Sequence, residues 1–160
     1  MSQTNELEIM ERIALDLERV EESLASSFNT GAEDFNALIR PLSAAGGKRL
    51  RAQLCLLIAN AGTSIERQRI KIAEAVEMLH LATLIHDDVL DQAEIRRGED
   101  TIHMHKGNKV AILSGDYLFA KAFKIVSEMT NMKYLQVFSH IITCLVEGEF
   151  MQMELSLIHI

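Results

Sequence analysis

The sequence predicts an all-α fold, and two observations carry that prediction. Residues that interrupt helices are rare, since the 160 residues include 8 glycines and 1 proline. Hydrophobic residues make up 48% of the chain, and they recur at spacings of three and four residues with little of the alternation that is typical of strands. A chain of this length forms one domain or part of one and can bury a sizeable core. We therefore expect helices packed around a single core.

The first half of the chain predicts four helices. Residues 5–28 carry apolar side chains at helical spacing beside a glutamate-rich face that is typical of solvent exposure. A short helix over 34–40 follows and is expected to end at Pro41. The next helix begins at a Gly-Gly-Lys motif and continues over 52–61, where it is nearly all apolar and is expected to be buried centrally. Ser64 is a candidate N-cap for one long helix over 65–90.

The second half predicts a charged connection and two further helices. Residues 92–108 are rich in charged side chains, and a polar connection of that length in a compact helical domain is usually functional or disordered. Amphipathic helices are predicted over 109–129 and 131–154. We expect His86, His103 and His105 to have ordinary surface or loop roles, because a histidine near a site is more often structural than catalytic.

Three aspartates lie at the end of the long helix. Asp87, Asp88 and Asp91 close an apolar segment, where carboxylates are costly to desolvate unless a cation meets them. In a helix, Asp87 and Asp91 stand at i and i+4 and point the same way. Mg²⁺ is the leading candidate, because it prefers oxygen ligands and is commonly held by one or two carboxylates together with substrate phosphates. His80 and Thr83 share the stripe, so the sequence predicts a Mg²⁺–diphosphate site at the mouth of an apolar channel.

Basic residues are concentrated in two short motifs, although the net charge is −7. Gly-Gly-Lys-Arg-Leu-Arg at 46–51 places two glycines before a helix N-terminus, and Lys48 and Arg51 can address one anion together. Arg96 and Arg97 form the second motif. Taken singly, these motifs could be a solvated basic turn and a polar loop, and the aspartates a solvated helix end. Together they favour a small phosphorylated ligand, whereas the acidic balance argues against a nucleic-acid partner.

Other functional classes find little support in the sequence. Cys55 and Cys144 lie in apolar helical patterns and are expected to be reduced core residues, neither a disulfide nor part of a zinc site. The polar N-terminus lacks the profile of a signal peptide. No apolar run is long enough to span a bilayer. We therefore expect a cytoplasmic location and no membrane span.

The motifs together resemble those of the trans-type polyprenyl diphosphate synthases. The Gly-Gly-Lys motif at 46–51, His80, the aspartates at 87–91 and Arg-Arg-Gly at 96–98 occur in the order and spacing of that family. Ser-Gly-Asp-Tyr-Leu at 114–118 and Glu-Gly-Glu at 147–149 fit the same pattern, so the resemblance covers about residues 38–154. It implies the prenyltransferase fold, in which helices surround a deep central cavity. It also implies a reaction that joins an allylic diphosphate to isopentenyl diphosphate.

The resemblance implies a role for each motif residue. Asp87, Asp88 and Asp91 would form the first aspartate-rich motif, with Asp87 and Asp91 as the direct Mg²⁺ ligands. Arg96 would contact the allylic diphosphate. Four residues would hold the diphosphate of isopentenyl diphosphate: Lys48, Arg51, His80 and Arg97. The chemistry agrees, because cations stabilise a leaving diphosphate and an apolar cavity keeps water from the carbocation.

The resemblance also bears on product length and assembly. Ala82 and Thr83 would line the channel for the growing chain, and both are small where short-product members carry an aromatic residue. A long, heptaprenyl-type product is therefore expected. Helical geometry supports Thr83, at i−4 from Asp87, whereas the placing of Ala82 rests on the resemblance alone. Full-length relatives form homodimers, or heterodimers with a small subunit, and the sequence leaves both open.

The family's second aspartate-rich motif does not occur in these 160 residues. We expect residues 1–154 to be the N-terminal portion of a single synthase domain, and this chain alone to lack synthase activity. The last six residues, 155–160, resemble a translated sequencing adapter and are expected to be non-native.

Three alternatives fit the residues less well. Glu77 and His80 form the E-x-x-H of a di-iron bundle, but the second such pair that this site needs is missing from the sequence. A terpene cyclase would share the aspartate chemistry without needing two basic motifs. A non-catalytic helical subunit of a heteromeric synthase would have no need to keep like charges crowded together.

Overall fold

The computed structural model describes residues 3–28, 33–44, 47–62 and 66–158. Within these ranges the all-α prediction is confirmed, because seven helices form the structure and the one sheet is a hairpin of two-residue strands. In chain order the elements are α1 (Gln3–Ser27), α2 (Glu33–Ala44), α3 (Leu50–Ala61), α4 (Glu66–Leu90), β1 (Ile95–Arg96), β2 (Glu99–Asp100), α5 (Ile102–Lys106), α6 (Asn108–Ser127) and α7 (Met132–Ile158). Ser64, the predicted N-cap of α4, lies outside the described residues.

Helix α4 is the central element of the fold. It packs against α1, α3 and α6, and α7 packs on the outside of α6. Large apolar side chains from these helices, including Leu24, Leu56, Met78 and Leu118, are fully buried and form one core. Because α1, α3 and α6 pack around α4, they fix the rotation of α4 and therefore the direction in which each of its polar side chains points.

The prediction that Pro41 ends the second helix is wrong. Helix α2 continues through Pro41 to Ala44, so the proline lies inside its last turn. A proline removes one hydrogen bond, here the one from position 41 to the carbonyl of Ala37, but the following residues can still bond to carbonyls of the preceding turn. Three residues of the helix follow the proline, and Ala37 and Pro41 both line a cavity beside α4.

The polar connection at 92–108 is ordered. Strands β1 and β2 pair antiparallel, with Ile95 opposite Asp100 and Arg96 opposite Glu99. The two residues between them, Arg97 and Gly98, have φ of 55° and 86°, which is the pair of positive values that a tight type I′ hairpin turn requires. Of the two expectations for this polar connection, functional or disordered, the structure favours the first, because the hairpin places both arginines beside α4.

Helix α3 is not buried on all sides, contrary to the expectation from its apolar sequence. Ala52 and Leu56 are buried, while four apolar side chains are exposed: Leu50, Leu54, Leu57 and Ile58. The reason is geometric, since α3 packs one face on α1 and α4 and no described residue covers the other face. Cys144 on α7 is likewise exposed, not in the core, and Cys55 is half-buried; both are free thiols.

Polar groups buried between α1 and α4 hold the two helices in register. Arg69 donates from Nε to Asp16 Oδ2 at 2.6 Å and from its terminal nitrogen to Oδ1 at 3.0 Å, and both side chains are buried. One turn further along α4, the buried Glu74 carboxylate accepts hydrogen bonds from Ser23 and Ser27, each at 2.7 Å. Buried charges require such partners, so these contacts also fix how far α4 can slide along α1.

His86 lies between α4 and α6 and is partly buried, which corrects the expectation of a surface or loop role. Its Nε2 lies 3.1 Å from the carbonyl oxygen of Ile112 and 3.4 Å from Asp116 Oδ1. Its ring is 5.5 Å from that of Phe119 and lies directly against Gly115, where a Cβ would overlap the ring. The glycine of the Ser-Gly-Asp motif therefore makes room for the histidine.

We predict that Gly115→Ala destabilises the protein although alanine is the better helix former. The added methyl group must displace the His86 ring, which costs about 1–3 kcal/mol, against about 1 kcal/mol gained in helix propensity. In a His86→Ala background the same substitution should be neutral or stabilising. Chemical denaturation of the four proteins of this cycle measures the coupling, and equal effects of Gly115→Ala in both backgrounds would contradict the packing described here.

No helix in the described part of the chain is long and apolar enough to cross a membrane.

Candidate functional site

The carboxyl end of α4 places Thr83 and Asp87 at an apolar pocket. The pocket has a volume of about 380 Å³ and lies between α4, α6 and α7. Its wall is mostly hydrophobic and includes Leu90, Phe119, Ile142, Leu145, Val146, Phe150 and Met153, with Glu149 as a second carboxylate. Asp87 thus lines a largely hydrophobic pocket.

Several carboxylates act on Asp87. Burial raises the pKa of Asp87 above its ordinary value, and the nearby charges of Glu149 and Asp91 raise this pKa further. Arg96 opposes them and lowers it. Asp91 follows one helical turn after Asp87, since its N–H donates to the Asp87 carbonyl at 2.8 Å. The crowding of like charges means that a cation at this place would be stabilised by every one of them.

Asp88 faces a different side of α4. Its buried carboxylate accepts a hydrogen bond from Arg96 Nε at 2.6 Å. Asp88 and Arg96 line a separate cavity of about 500 Å³ between α2, α4 and the hairpin. Consecutive helical residues are rotated by about 100°, so the side chains of Asp87 and Asp88 point in different directions. Asp88 points to Arg96.

The predicted diphosphate residues lie around a third cavity on α4. This cavity has a volume of about 210 Å³, and Lys48, Arg51, His80 and Arg97 are all among its lining residues. We call these four residues the basic seat. The Arg97 guanidinium lies against Gly47, 3.6 Å from where a Cβ would stand. The cationic groups also act on His80, because Arg51 and Arg97 both lower its pKa.

His80 is expected to lower the stability of the fold in acid. Burial, the largest cause, and the adjacent Arg51 lower the pKa of His80 below that of a free histidine. The unfolded chain therefore takes up its proton at higher pH than the folded chain, so the free energy of unfolding falls as pH drops below the unfolded pKa. Urea denaturation between pH 7.5 and pH 5 should show a shallower decline for His80→Gln than for wild type. Parallel curves for the two proteins would count against a depressed pKa.

The two predicted chain-length residues occupy different environments. Thr83 lines the apolar pocket and donates its hydroxyl hydrogen bond to the His80 carbonyl at 2.9 Å. Ala82 is fully buried in the core and is not among the residues that line that pocket. A channel role for either residue stays a prediction.

The carboxylates at Asp87 suit a hard divalent cation whose remaining coordination positions are filled by other ligands. Among the described residues, no three carboxylate, imidazole or thiol groups converge into a ready-made metal centre. Mg²⁺ does not need one, because it commonly keeps several waters and takes phosphate oxygens beside one or two carboxylates. Asp87 and Asp91, one turn apart on an exposed helix end, offer that kind of partial site.

Three site residues were not predicted from the sequence. Glu149 faces Asp87 across the pocket from α7, and only the Glu-Gly-Glu pattern pointed to that region. Arg49, between the two predicted cations, turns inward and bonds to Glu21 and Glu77. The signal for Arg49 and Glu77 was weak, since a basic motif does not reveal which of its cations is buried and a lone glutamate on a helix has no distinctive spacing.

Comparisons with known proteins identify the family of the chain. The sequence model described as polyprenyl synthetase matches residues 32–157. The octaprenyl diphosphate synthase of Escherichia coli K12 is 32% identical over 145 residues, covering 91% of this chain and 45% of the relative. An all-trans-nonaprenyl-diphosphate synthase of Rhodobacter capsulatus is 40% identical over 131 residues, covering 79% of this chain and 40% of the relative.

Solved structures show the same fold. A polyprenyl synthase of Caulobacter crescentus, complexed with calcium and isoprenyl diphosphate, superposes with a TM-score of 0.85 at 35% identity, covering 91% of this chain and 44% of that one. Heptaprenyl diphosphate synthase of Staphylococcus aureus gives a TM-score of 0.83 at 28% identity, covering 89% and 45%. The helices are thus part of the isoprenyl diphosphate synthase bundle, and the chain spans about half the length of the relatives it matches.

Proposed function

This chain belongs to the polyprenyl synthetase family, and from that premise we propose that it is part of a prenyltransferase that condenses an allylic diphosphate with isopentenyl diphosphate. The observation that carries the proposal is the arrangement on α4. One helix presents Asp87 to an apolar pocket and His80 to a basic cavity seven residues earlier. Helix α4 would therefore carry two separate diphosphate sites, one at Asp87 that needs a metal ion and one at His80 that does not.

The acidic end of α4 is the proposed seat of the allylic diphosphate. Asp87 and Asp91 would hold Mg²⁺, which when bound supplies positive charge to the departing diphosphate. Asp88 keeps the Arg96 side chain in place beside them through its 2.6 Å hydrogen bond, and Arg96 would contact the same diphosphate. The relative from C. crescentus, whose structure contains calcium and isoprenyl diphosphate, supports an oxygen-ligated divalent cation here.

The apolar pocket is the proposed receptor of the prenyl chain. Its hydrophobic wall would exclude water from the allylic carbocation until the double bond of the second substrate attacks. The basic seat of Lys48, Arg51, His80 and Arg97 would hold that second substrate by its diphosphate. The small Thr83 at the pocket wall supports a long-chain product, with Ala82 as the second proposed determinant of length.

The proposal has a direct binding test. Calorimetric titration of the 160-residue chain with isopentenyl diphosphate in EDTA should show binding, because the basic seat needs no metal. An allylic thiolodiphosphate, which ionises poorly, should bind only when Mg²⁺ is added. Binding of neither compound, or equal binding of the allylic compound with and without Mg²⁺, would contradict the proposal.

A dimeric assembly and a cytoplasmic location are further parts of the proposal. Three of the synthases similar to this chain, those from E. coli, S. aureus and C. crescentus, are bacterial proteins, which supports a cytoplasmic location. Sedimentation of the purified protein and imaging of a fluorescent fusion test the two points separately.

A further inference from the structure

We infer that Glu77 is a positioning residue of the basic seat, because it both caps helix α3 and pairs with Arg49 at the start of that helix, and so fixes the turn that carries Lys48 and Arg51. The inference rests on the proposed function, since it takes the basic seat to bind a diphosphate. It adds a buried carboxylate in the wall of the same cavity that decides where two ligand-binding residues stand.

Helix α3 begins without a cap of its own. Arg49 occupies the N-cap position with φ of 47°, and its side chain makes no capping hydrogen bond. A capping side chain normally accepts a hydrogen bond from the second or third N–H of the helix. Here the third, that of Ala52, donates to Glu77 Oε1 at 3.0 Å. The Glu77 carboxylate thus serves as the N-terminal cap of α3, a role that a serine or aspartate at position 49 would otherwise have.

The same carboxylate also holds Arg49. Glu77 Oε2 lies 3.3 Å from a terminal nitrogen of Arg49, whose Nε and other terminal nitrogen donate to Glu21 at 2.5 and 3.1 Å. The side chains of Arg49 and Glu77 are 6% and 4% exposed, so this contact is shielded from solvent. Arg49 therefore connects α1, the start of α3 and α4 at one point.

The backbone at Arg49 needs this support. A left-handed conformation is unfavourable for a residue with a side chain, and it persists only where the surroundings determine it. The buried ion pair supplies those surroundings. With Arg49 turned inward, its neighbours Lys48 and Arg51 are exposed and line the cavity that His80 and Arg97 share. Arg49 is therefore engaged within the fold, whereas Lys48 and Arg51 can contact a ligand.

Removal of the Glu77 charge should therefore weaken anion binding at the basic seat by releasing Arg49, although no cationic group of the seat is lost. Glutamine at this position has nearly the same shape and can still accept from Ala52, but its neutral amide cannot pair with Arg49. We expect Glu77→Gln to weaken binding of inorganic pyrophosphate in EDTA by about tenfold, the lower end of what loss of an outer partner costs at metal sites. Mg²⁺-dependent binding of an allylic thiolodiphosphate at Asp87 should change by less than about twofold, since its seat is elsewhere on α4.

Glu74→Gln is the matched control. Glu74 is also a buried carboxylate of α4, three residues earlier, and its partners Ser23, Ser27 and Lys71 lie away from the basic seat. Both variants should lower the melting temperature, whereas only Glu77→Gln should weaken pyrophosphate binding. Equal pyrophosphate affinity of folded Glu77→Gln and wild type, or an equal loss in Glu74→Gln, would overturn the inference.

Two further outcomes keep the test decisive. If circular dichroism shows that Glu77→Gln does not fold, Arg49→Lys replaces it, because lysine keeps the charge but cannot bridge two carboxylates; a loss of about threefold in pyrophosphate affinity is expected, and wild-type affinity would overturn the inference. If wild-type protein itself binds no pyrophosphate in EDTA, the proposed function fails first and the positioning role falls with it.

Discussion

Replacement of Asp87 by asparagine is expected to abolish most of the Mg²⁺-dependent affinity of this chain for an allylic thiolodiphosphate. Asparagine keeps the size and one oxygen of the side chain but removes the charge that the cation needs. The loss should be at least about tenfold, since removal of an outer partner alone typically costs 10–100-fold at metal sites. The replacement also relieves repulsion with Asp91 and Glu149, so the variant should fold at least as stably as wild type.

Glu128→Gln is the control for this experiment. Glu128 is an exposed carboxylate just after α6 that lies 4.0 Å from Lys124, and its replacement should leave Mg²⁺-dependent affinity within about twofold of wild type. Pyrophosphate affinity in EDTA should be unchanged in both variants, because the basic seat lies elsewhere. Unaltered Mg²⁺-dependent affinity in Asp87→Asn would contradict the assignment of the metal to this helix end.

The largest effect on stability is expected from Arg69→Met. Arg69 and Asp16 form a two-pronged ion pair with side chains only 3% and 2% exposed. Loss of the guanidinium removes both hydrogen bonds to the buried Asp16 carboxylate and leaves it the longer contact with the half-exposed Arg19 at 3.7 Å. We expect this to cost about 3 kcal/mol of the free energy of unfolding, the lower end for a broken buried pair. Against a total of about 5–15 kcal/mol for a typical domain, such a loss would leave the protein marginal at room temperature. Urea denaturation followed by circular dichroism measures it.

Two comparison proteins test whether desolvation is the cause. The double variant Asp16→Leu/Arg69→Met removes both charges and should recover most of the loss, because apolar replacement of a whole buried pair is often neutral or stabilising. Lys124→Met removes one partner of an exposed pair, Lys124–Glu128 at 4.0 Å, and should cost no more than about 0.5 kcal/mol. A double variant as unstable as Arg69→Met would contradict this explanation.

The sequence predicted the helices, and it singled out residues that the structure places beside cavities, because both leave local signals. The apolar spacing in α1, α4 and α6 was long and regular enough to fix their type and approximate ends. The stripe of His80, Thr83 and Asp87 followed from the helical repeat alone, and the structure places all three beside cavities. Family-like order and spacing of the motifs then predicted which distant segments would meet on α4.

The remaining features depend on tertiary contacts that local sequence does not encode. The direction of Arg49 is decided by Glu21 and Glu77, which are both 28 residues away. The exposed face of α3 could not be distinguished from a buried one, because composition shows that side chains are apolar but not what covers them. The order of the 92–108 connection depends on a two-residue turn and on Thr101, whose hydroxyl donates to the Ala93 carbonyl at 2.9 Å.

The three aspartates illustrate the same limit at the site. Their spacing predicted that Asp87 and Asp91 share a face, and the charge of Asp91 is among the causes, after burial and Glu149, that raise the pKa of Asp87. The sequence did not show that Asp88 would be engaged by Arg96, because that contact needs the hairpin to fold back on α4. Asp87 and Asp88 are adjacent in sequence, but the helical rotation directs them to different partners.

The central claim is that the carboxyl end of α4 binds a divalent cation together with a diphosphate. Mn²⁺ tests it most directly, because carboxylate sites that suit Mg²⁺ also suit this paramagnetic ion. In amide NMR spectra of the isotope-labelled chain, Mn²⁺ with pyrophosphate should broaden the resonances around Asp87 and Asp91 first, together with those near Glu149, and leave those around Arg69 sharp. Broadening centred on another part of the chain, or none at these residues, would contradict the claim.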